Sequence, residues 1–252
     1  MRRSTLTIAA AALTLAGTTI SAQHAAFRMK GRVLTDAGAG VSDAEVRAEA
    51  FYGYGAGTFS GQRTFSVKTG GKGDWSIGAL QPGVWLFETF APGYVPEVVI
   101  LPPRILATVS QGTSGMSLTW DLILKPVRLP DTAYGSVLKA ATDAIVAGIP
   151  NDAKDALRSI PDDLDADGLA SAGRVAVCAR DMALAMTLFH RALERDPSSY
   201  RASLGVASLF LFQRDFDSAS RAFDAARSRT HDKDEQRFIS AAISELAAIK
   251  YR

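Results

Sequence analysis

The chain has 252 residues, 47% of them hydrophobic, and a formal net charge of +2 from 28 basic and 26 acidic side chains. That length allows one or two domains with real cores, and the near balance of charge excludes the dense positive face that nucleic-acid or anionic-membrane binding relies on. A single cysteine, Cys178, excludes a disulfide framework, so packing alone must hold the fold.

Arg2 and Arg3 precede an apolar run from Leu6 to Ile20, which gives way to the small residues Ser21 and Ala22. The run is shorter than the about 20 apolar residues that a membrane span needs, is interrupted by threonines and ends at a cleavage-like site. Residues 1–22 are therefore expected to be a cleaved secretory signal peptide, with the mature chain exported to the periplasm or secreted and no membrane span left in it. Ser4-Thr5-Leu6 fits the twin-arginine export pattern poorly, and Cys178 lies too far downstream to accept a lipid. Loss of Arg2 and Arg3 brings the mature chain close to neutrality.

From 23 to 129 the chain alternates short β-rich runs with turn residues, the pattern of a small antiparallel sandwich. About seven strands are predicted, at Phe27 to Leu34, Glu45 to Tyr52, Arg63 to Thr69, Asp74 to Ile77, Val84 to Phe90, Glu97 to Leu101 and Leu118 to Leu124. Gly38, Gly40, Gly70, Gly71, Gly73, Pro82-Gly83 and Pro92-Gly93 punctuate them as turns. Gly31-Arg32-Val33, Ala44-Glu45-Val46, Gly73-Asp74-Trp75, Leu80-Gln81-Pro82-Gly83 and Ala91-Pro92-Gly93-Tyr94 together resemble the carboxypeptidase regulatory-like domain, a transthyretin-like sandwich. Trp85 stands where that family more often has tyrosine. The resemblance implies a structural or binding module, and Trp75 and Trp85 are expected to point inward. It brings no peptidase with it: His24, His190 and His231 are the only histidines, and none stands in a zinc-binding motif.

Tyr52, Tyr54 and Phe59 punctuate a glycine-rich loop. Exposed rings there would stack on a carbohydrate or anchor a partner; folded back, they would only cover the sandwich.

From 130 to 252 the texture turns helical and alanine-rich. Asp131 is placed to cap a helix through Ala147, and Asn151 or Asp152 one through Ile160. Ala185, Phe189 and Ala192 then recur 34 positions later as Ala219, Phe223 and Ala226, in step with Arg180-Asp181 and Arg214-Asp215. With Leu169, Gly173 and Pro197 this run resembles the tetratricopeptide pattern. His231 stands in for Pro197 in the second copy, and Gly205 lies two places before the usual glycine. A last helix from about Asp234 to Lys250 is expected to cap an array of about seven helices. The fold class is thus multidomain β + α, an antiparallel sandwich followed by a tetratricopeptide-repeat array.

The chemical motifs are sparse. Asp163-Leu-Asp165-Ala-Asp167-Gly168 matches half of a calcium loop, but Arg174 falls where the bidentate glutamate belongs, so a helix start explains it better. Cys178 reads as a small buried hydrophobe rather than a nucleophile. No cofactor, metal site or catalytic constellation is expected.

The repeat resemblance implies that the first helix of each hairpin lines a concave face. Its groove positions fall on Asp167, Ala170, Arg174, Val177 and Cys178, then on Arg201, Leu204, Ser208, Leu211 and Phe212. A lysine and asparagine carboxylate clamp is missing. Arg174 and Arg201 stand as polar anchors, with Leu204, Leu211 and Phe212 as apolar surface for a protein or peptide partner. Those apolar residues pack against the leading helices instead if no groove is open. The function expected is an exported, non-enzymatic protein-binding adaptor, with carbohydrate binding by the sandwich as the alternative.

Overall fold

The computed structural model describes residues 27–53, 64–80, 83–101, 117–127, 133–161 and 163–250. The β half contributes β1 (Phe27–Thr35), β2 (Glu45–Gly53), β3 (Thr64–Lys68), β4 (Asp74–Leu80), β5 (Gly83–Phe90), β6 (Tyr94–Val95), β7 (Glu97–Leu101), β8 (Ser117–Thr119) and β9 (Leu122–Pro126). One sheet runs β4-β1-β9-β6 with β8 also on β1, and the other runs β3-β2-β5-β7. The second sheet is antiparallel throughout. The first is mixed, because β8 and β9 both lie parallel to β1.

The predicted strand Leu118 to Leu124 is split in two where it runs against β1. The chain presses so closely on β1 that a Cβ on Gly31 would lie 1.8 Å from the Trp120 carbonyl oxygen. Across the break, the Arg32 amide and guanidinium both donate to the Asp121 carboxylate, at 2.9 and 3.0 Å.

Between the sheets lies an aromatic core in which Trp75, Trp85, Phe87, Met29, Leu122 and Leu124 are all buried. Strand β5 reads Gly-Val-Trp-Leu-Phe-Glu-Thr-Phe, and its residues from Val84 to Phe90 are buried without alternation. A strand apolar on both sides needs cover on both faces. Trp85 and Phe87 face the sandwich interior, while Val84, Leu86 and Phe90 join Val95 and Ile100 in a second core shared with the helices. Each of those side chains contributes about 1.5–3 kcal/mol by leaving water, so the two halves hold together through apolar burial.

The helices are α1 (Ala133–Val146), α2 (Pro150–Leu157), α3 (Ala166–Cys178), α4 (Met182–Arg195), α5 (Tyr200–Phe212), α6 (Phe216–Arg229) and α7 (Lys233–Lys250). Helix α2 starts at Pro150 rather than at a cap on Asn151 or Asp152, since proline is preorganised for the first helical position. Asp131 lies outside the described residues. Four helices carry side-chain caps on a repeating frame: Asp165 and Ser199 cap α3 and α5, and Asp181 and Asp215 cap α4 and α6. In each, a side-chain oxygen satisfies an amide of the first turn. Asp165 is thereby engaged by the Gly168 amide, and Asp167 by Lys125 at 3.3 Å. The half calcium loop is thus a helix start, and no group of three or more acidic, histidine or cysteine side chains among the described residues is arranged to hold a metal. No helix of the described residues is long and apolar enough to cross a membrane.

Candidate functional site

The face that α3 and α5 present is the candidate site, and the chain's own sandwich sits against it. Strand β7 lies against α3 and α5. Arg174 on α3 reaches Glu97, at the start of β7, with Nη1 2.6 Å from Oε2. Arg201 on α5 donates to the same oxygen at 3.2 Å. The Arg174 side chain is only 6% exposed and that of Glu97 17%. A second nitrogen of Arg174 donates to Ser171 Oγ at 3.2 Å. Burial pulls the Arg174 pKa down, and the neighbouring Glu97 carboxylate opposes that pull.

A second cluster lies beside the first. Arg180 forks, with Nη1 2.5 Å from Glu88 Oε1 on β5 and Nη2 2.5 Å from Glu49 Oε2 on β2. Burial acts to lower the Arg180 pKa, but its bonds and charge contact with Glu88 and Glu49 outweigh that and raise it. Glu88 is 1% exposed, so without the guanidinium its charge would stand in the shared core at prohibitive cost. Three helix cations therefore meet three sandwich carboxylates, all with the same polarity.

The turn that aims Arg180 comes from the repeat itself. At the end of α3 the Arg180 amide bonds the Val177 carbonyl and the Asp181 amide the Ala176 carbonyl, a paired C-terminal cap that needs a left-handed residue. Arg180 supplies it at φ 61°, and Arg214 does the same after α5 at φ 62°. The repeated Arg-Asp pair is therefore the helix-to-helix turn, with Asp181 capping α4 and Asp215 capping α6.

The five residues expected to line an open groove are otherwise engaged. Arg174 and Arg201 are held by Glu97. Leu204 and Leu211 are buried in the core that the helices share with the sandwich. Phe212 is half-buried and stands edge-on to Phe51 of β2, with ring centroids 4.7 Å apart. The correction has a simple cause: a sheet with an apolar outer face needs cover, and the concave face of the repeats is the matching surface. Glu49, Glu88 and Glu97 were not singled out in the sequence. Glu88 did leave a signal, a lone charge in a continuous apolar strand, which demands a buried partner.

The remaining expected residues divide. The Cys178 thiol is buried, and burial together with Glu88 raises its pKa well above the ordinary thiol value, so it is a poor nucleophile. Tyr52 pairs with Val84 on the β2–β5 ladder, and Tyr54 and Phe59 lie outside the described residues.

No family model and no curated protein matches this chain. Among solved structures it is similar to 3-chlorocatechol 1,2-dioxygenase from Rhodococcus opacus 1CP, at 11% identity and a TM-score of 0.33 over 40% of this chain and 60% of that one. The TPR2B domain of yeast Sti1, solved as a complex with pHsp70, is 18% identical with a TM-score of 0.39, over 47% of this chain and 98% of that one. PcrH from Pseudomonas aeruginosa is 17% identical with a TM-score of 0.39, over 49% of this chain and 96% of that one. The chain thus spans about 60% of the chlorocatechol dioxygenase it matches. Each likeness covers less than half of this chain, and none carries a substrate or partner across to it.

Proposed function

We propose that this chain is an exported, non-enzymatic protein-binding adaptor whose helical repeats are locked onto their own sandwich and which takes its partner on a face outside that contact. The observation that carries the reading is the docked strand. Arg174 and Arg201 close on the carboxylate of Glu97 on β7, so the concave face already performs in cis what extended repeat surfaces do for partners. Cys178 is buried, and burial with Glu88 beside it holds its thiol protonated, which makes it a poor nucleophile. The assignment of the sandwich to the carboxypeptidase regulatory-like family rests on its turn and core residues, and export rests on residues 1–22.

The test is affinity capture with the mature chain from an envelope extract of its source, followed by reconstitution from purified components. A discrete protein that re-forms the complex at fixed stoichiometry is the expected result. A mature chain that binds no protein, or that turns over a substrate, overturns the proposal. The export arm is read from the N-terminal mass of the native protein, which should begin at Gln23. No observation favours carbohydrate binding over this reading.

A further inference from the structure

We infer that the outer face of the sheet β4-β1-β9-β6 binds an extended acidic segment of a partner polypeptide, an inference that deepens the adaptor reading above and rests on it. Burial alternates along β1: Met29 and Val33 are buried, whereas Arg28, Lys30 and Arg32 are exposed on the opposite face. These cations therefore stand in one line, about 6.7 Å apart. The neighbouring strands leave that line open. Lys30 lies in register with Ser76 of β4 on one side and Thr119 of β8 on the other, both short and both exposed. The Arg28 guanidinium lies over Gly78 of β4, where a Cβ would come 3.6 Å from its Nε.

Two of the cations are uncommitted. Arg32 is held by Asp121 at 3.0 Å, and Asp74 is its register partner on β4, so these two acids both sit beside the same arginine. Arg28 and Lys30 take no part in any hydrogen bond or ion pair among the described residues. Residues 1–26, 81–82 and 102–116, which adjoin β1, β4 and β8 along the chain, contain no aspartate or glutamate.

Charge and spacing select the occupant. Alternate side chains of an extended polypeptide are also about 6.7 Å apart, so an acid-x-acid segment sets one carboxylate at Arg28 and the next at Lys30, each in reach of a charge-assisted hydrogen bond. Further along the same line Leu34 is in register with Ile123 of β9, which is 46% exposed. A strand laid along β1 brings an aliphatic side chain to that apolar pair four positions after its second acid. Two uncommitted cations are too few for the counterion release on which nucleic-acid binding depends. Trp120, beside Thr119, turns edge-on to Phe87 of the core, away from any base or sugar that would stack on it.

The experiment is fluorescence anisotropy of a labelled Glu-Ser-Glu-Ser-Ser-Ser-Leu peptide with the full mature chain at low salt. Arg28→Gln with Lys30→Gln is expected to weaken binding at least tenfold, and Ile123→Ser at least threefold. Lys68→Gln with Lys233→Gln removes the same charge at exposed positions of β3 and α7 and is expected to leave binding within twofold, with circular dichroism unchanged in all three variants. Equal loss in both double variants means a general charge effect and overturns the inference, as does binding that Arg28→Gln with Lys30→Gln leaves intact. Binding that ignores Ile123→Ser, or that inorganic phosphate displaces at matched concentration, overturns the peptide assignment and leaves an ion site only. Tighter association with phosphatidylglycerol vesicles than with the peptide overturns it in favour of a membrane surface, and dimerisation that needs Arg28 and Lys30 overturns it in favour of a second copy. A natural partner still captured without both cations keeps the adaptor reading and removes this face. Peptide binding here by a chain that captures no protein keeps the face and removes the adaptor.

Discussion

Arg180 occupies left-handed backbone that glycine would take without strain, at a cost of about 1 kcal/mol for an L side chain, and in doing so carries its guanidinium to Glu88. Breaking a buried ion pair from one side costs about 3–5 kcal/mol. The Arg180 side chain is 34% exposed, which favours the lower figure. Arg180→Gly is therefore expected to destabilise the chain by about 2 kcal/mol in urea unfolding, despite relieving the backbone. Adding Glu88→Leu should restore most of the loss, since an apolar residue suits that site; a double variant no more stable than the single one would show that the pair is not the cause. Cys178 gives a pH prediction. Burial and Glu88 raise its folded pKa, so its contribution to stability is complete below the unfolded thiol value of about 8.5 and falls as pH rises above it. Between about pH 8 and 10 the native chain should lose stability that Cys178→Ala retains, and its thiol should resist alkylation until urea is added.

Within the elements, the repeat packs around one ring. Phe189 of α4 lies between the helix backbones of α3 and α5: a Cβ on Gly173 would come within 2.7 Å of the ring, and one on Gly205 within 2.5 Å. The glycine that stands two places early in the second copy is thus used, on the other side of the same aromatic. Gly205→Ala should cost about 1–3 kcal/mol through overpacking, measured by thermal unfolding. Pairing it with Phe189→Leu should recover part of that loss, and a Gly205→Ala chain of unchanged Tm would sink the argument. These elements were legible in the sequence because their causes are local. The Ala-Phe-Ala stripe and the Arg-Asp pair repeat in one frame, whereas the split of the last strand into β8 and β9 depends on Gly31 and Arg32 from across the sheet, which no window on that strand contains.

At the scale of the whole molecule, the sandwich and the helices form one core through Val84, Leu86, Phe90, Val95 and Ile100. Residues 130–252 made alone would expose the face that carries Arg174, Leu204 and Phe212. That fragment is expected to aggregate or to lose helical circular dichroism, while the full chain unfolds in a single transition; a stable, monomeric fragment would show that the halves are independent. The sequence by itself determined the fold class, the order of the halves and the repeat frame, because hydrophobic period and turn chemistry act over a few residues. Only the tertiary structure decided that Arg174 and Arg201 meet Glu97 and that Phe212 meets Phe51. Those contacts join residues far apart along the chain, and they arise because the outer face of β5 must be buried by whatever surface fits it. Repeat position fixes which residues α3 and α5 turn to one side; what lies against that side is fixed by the docking of the two halves.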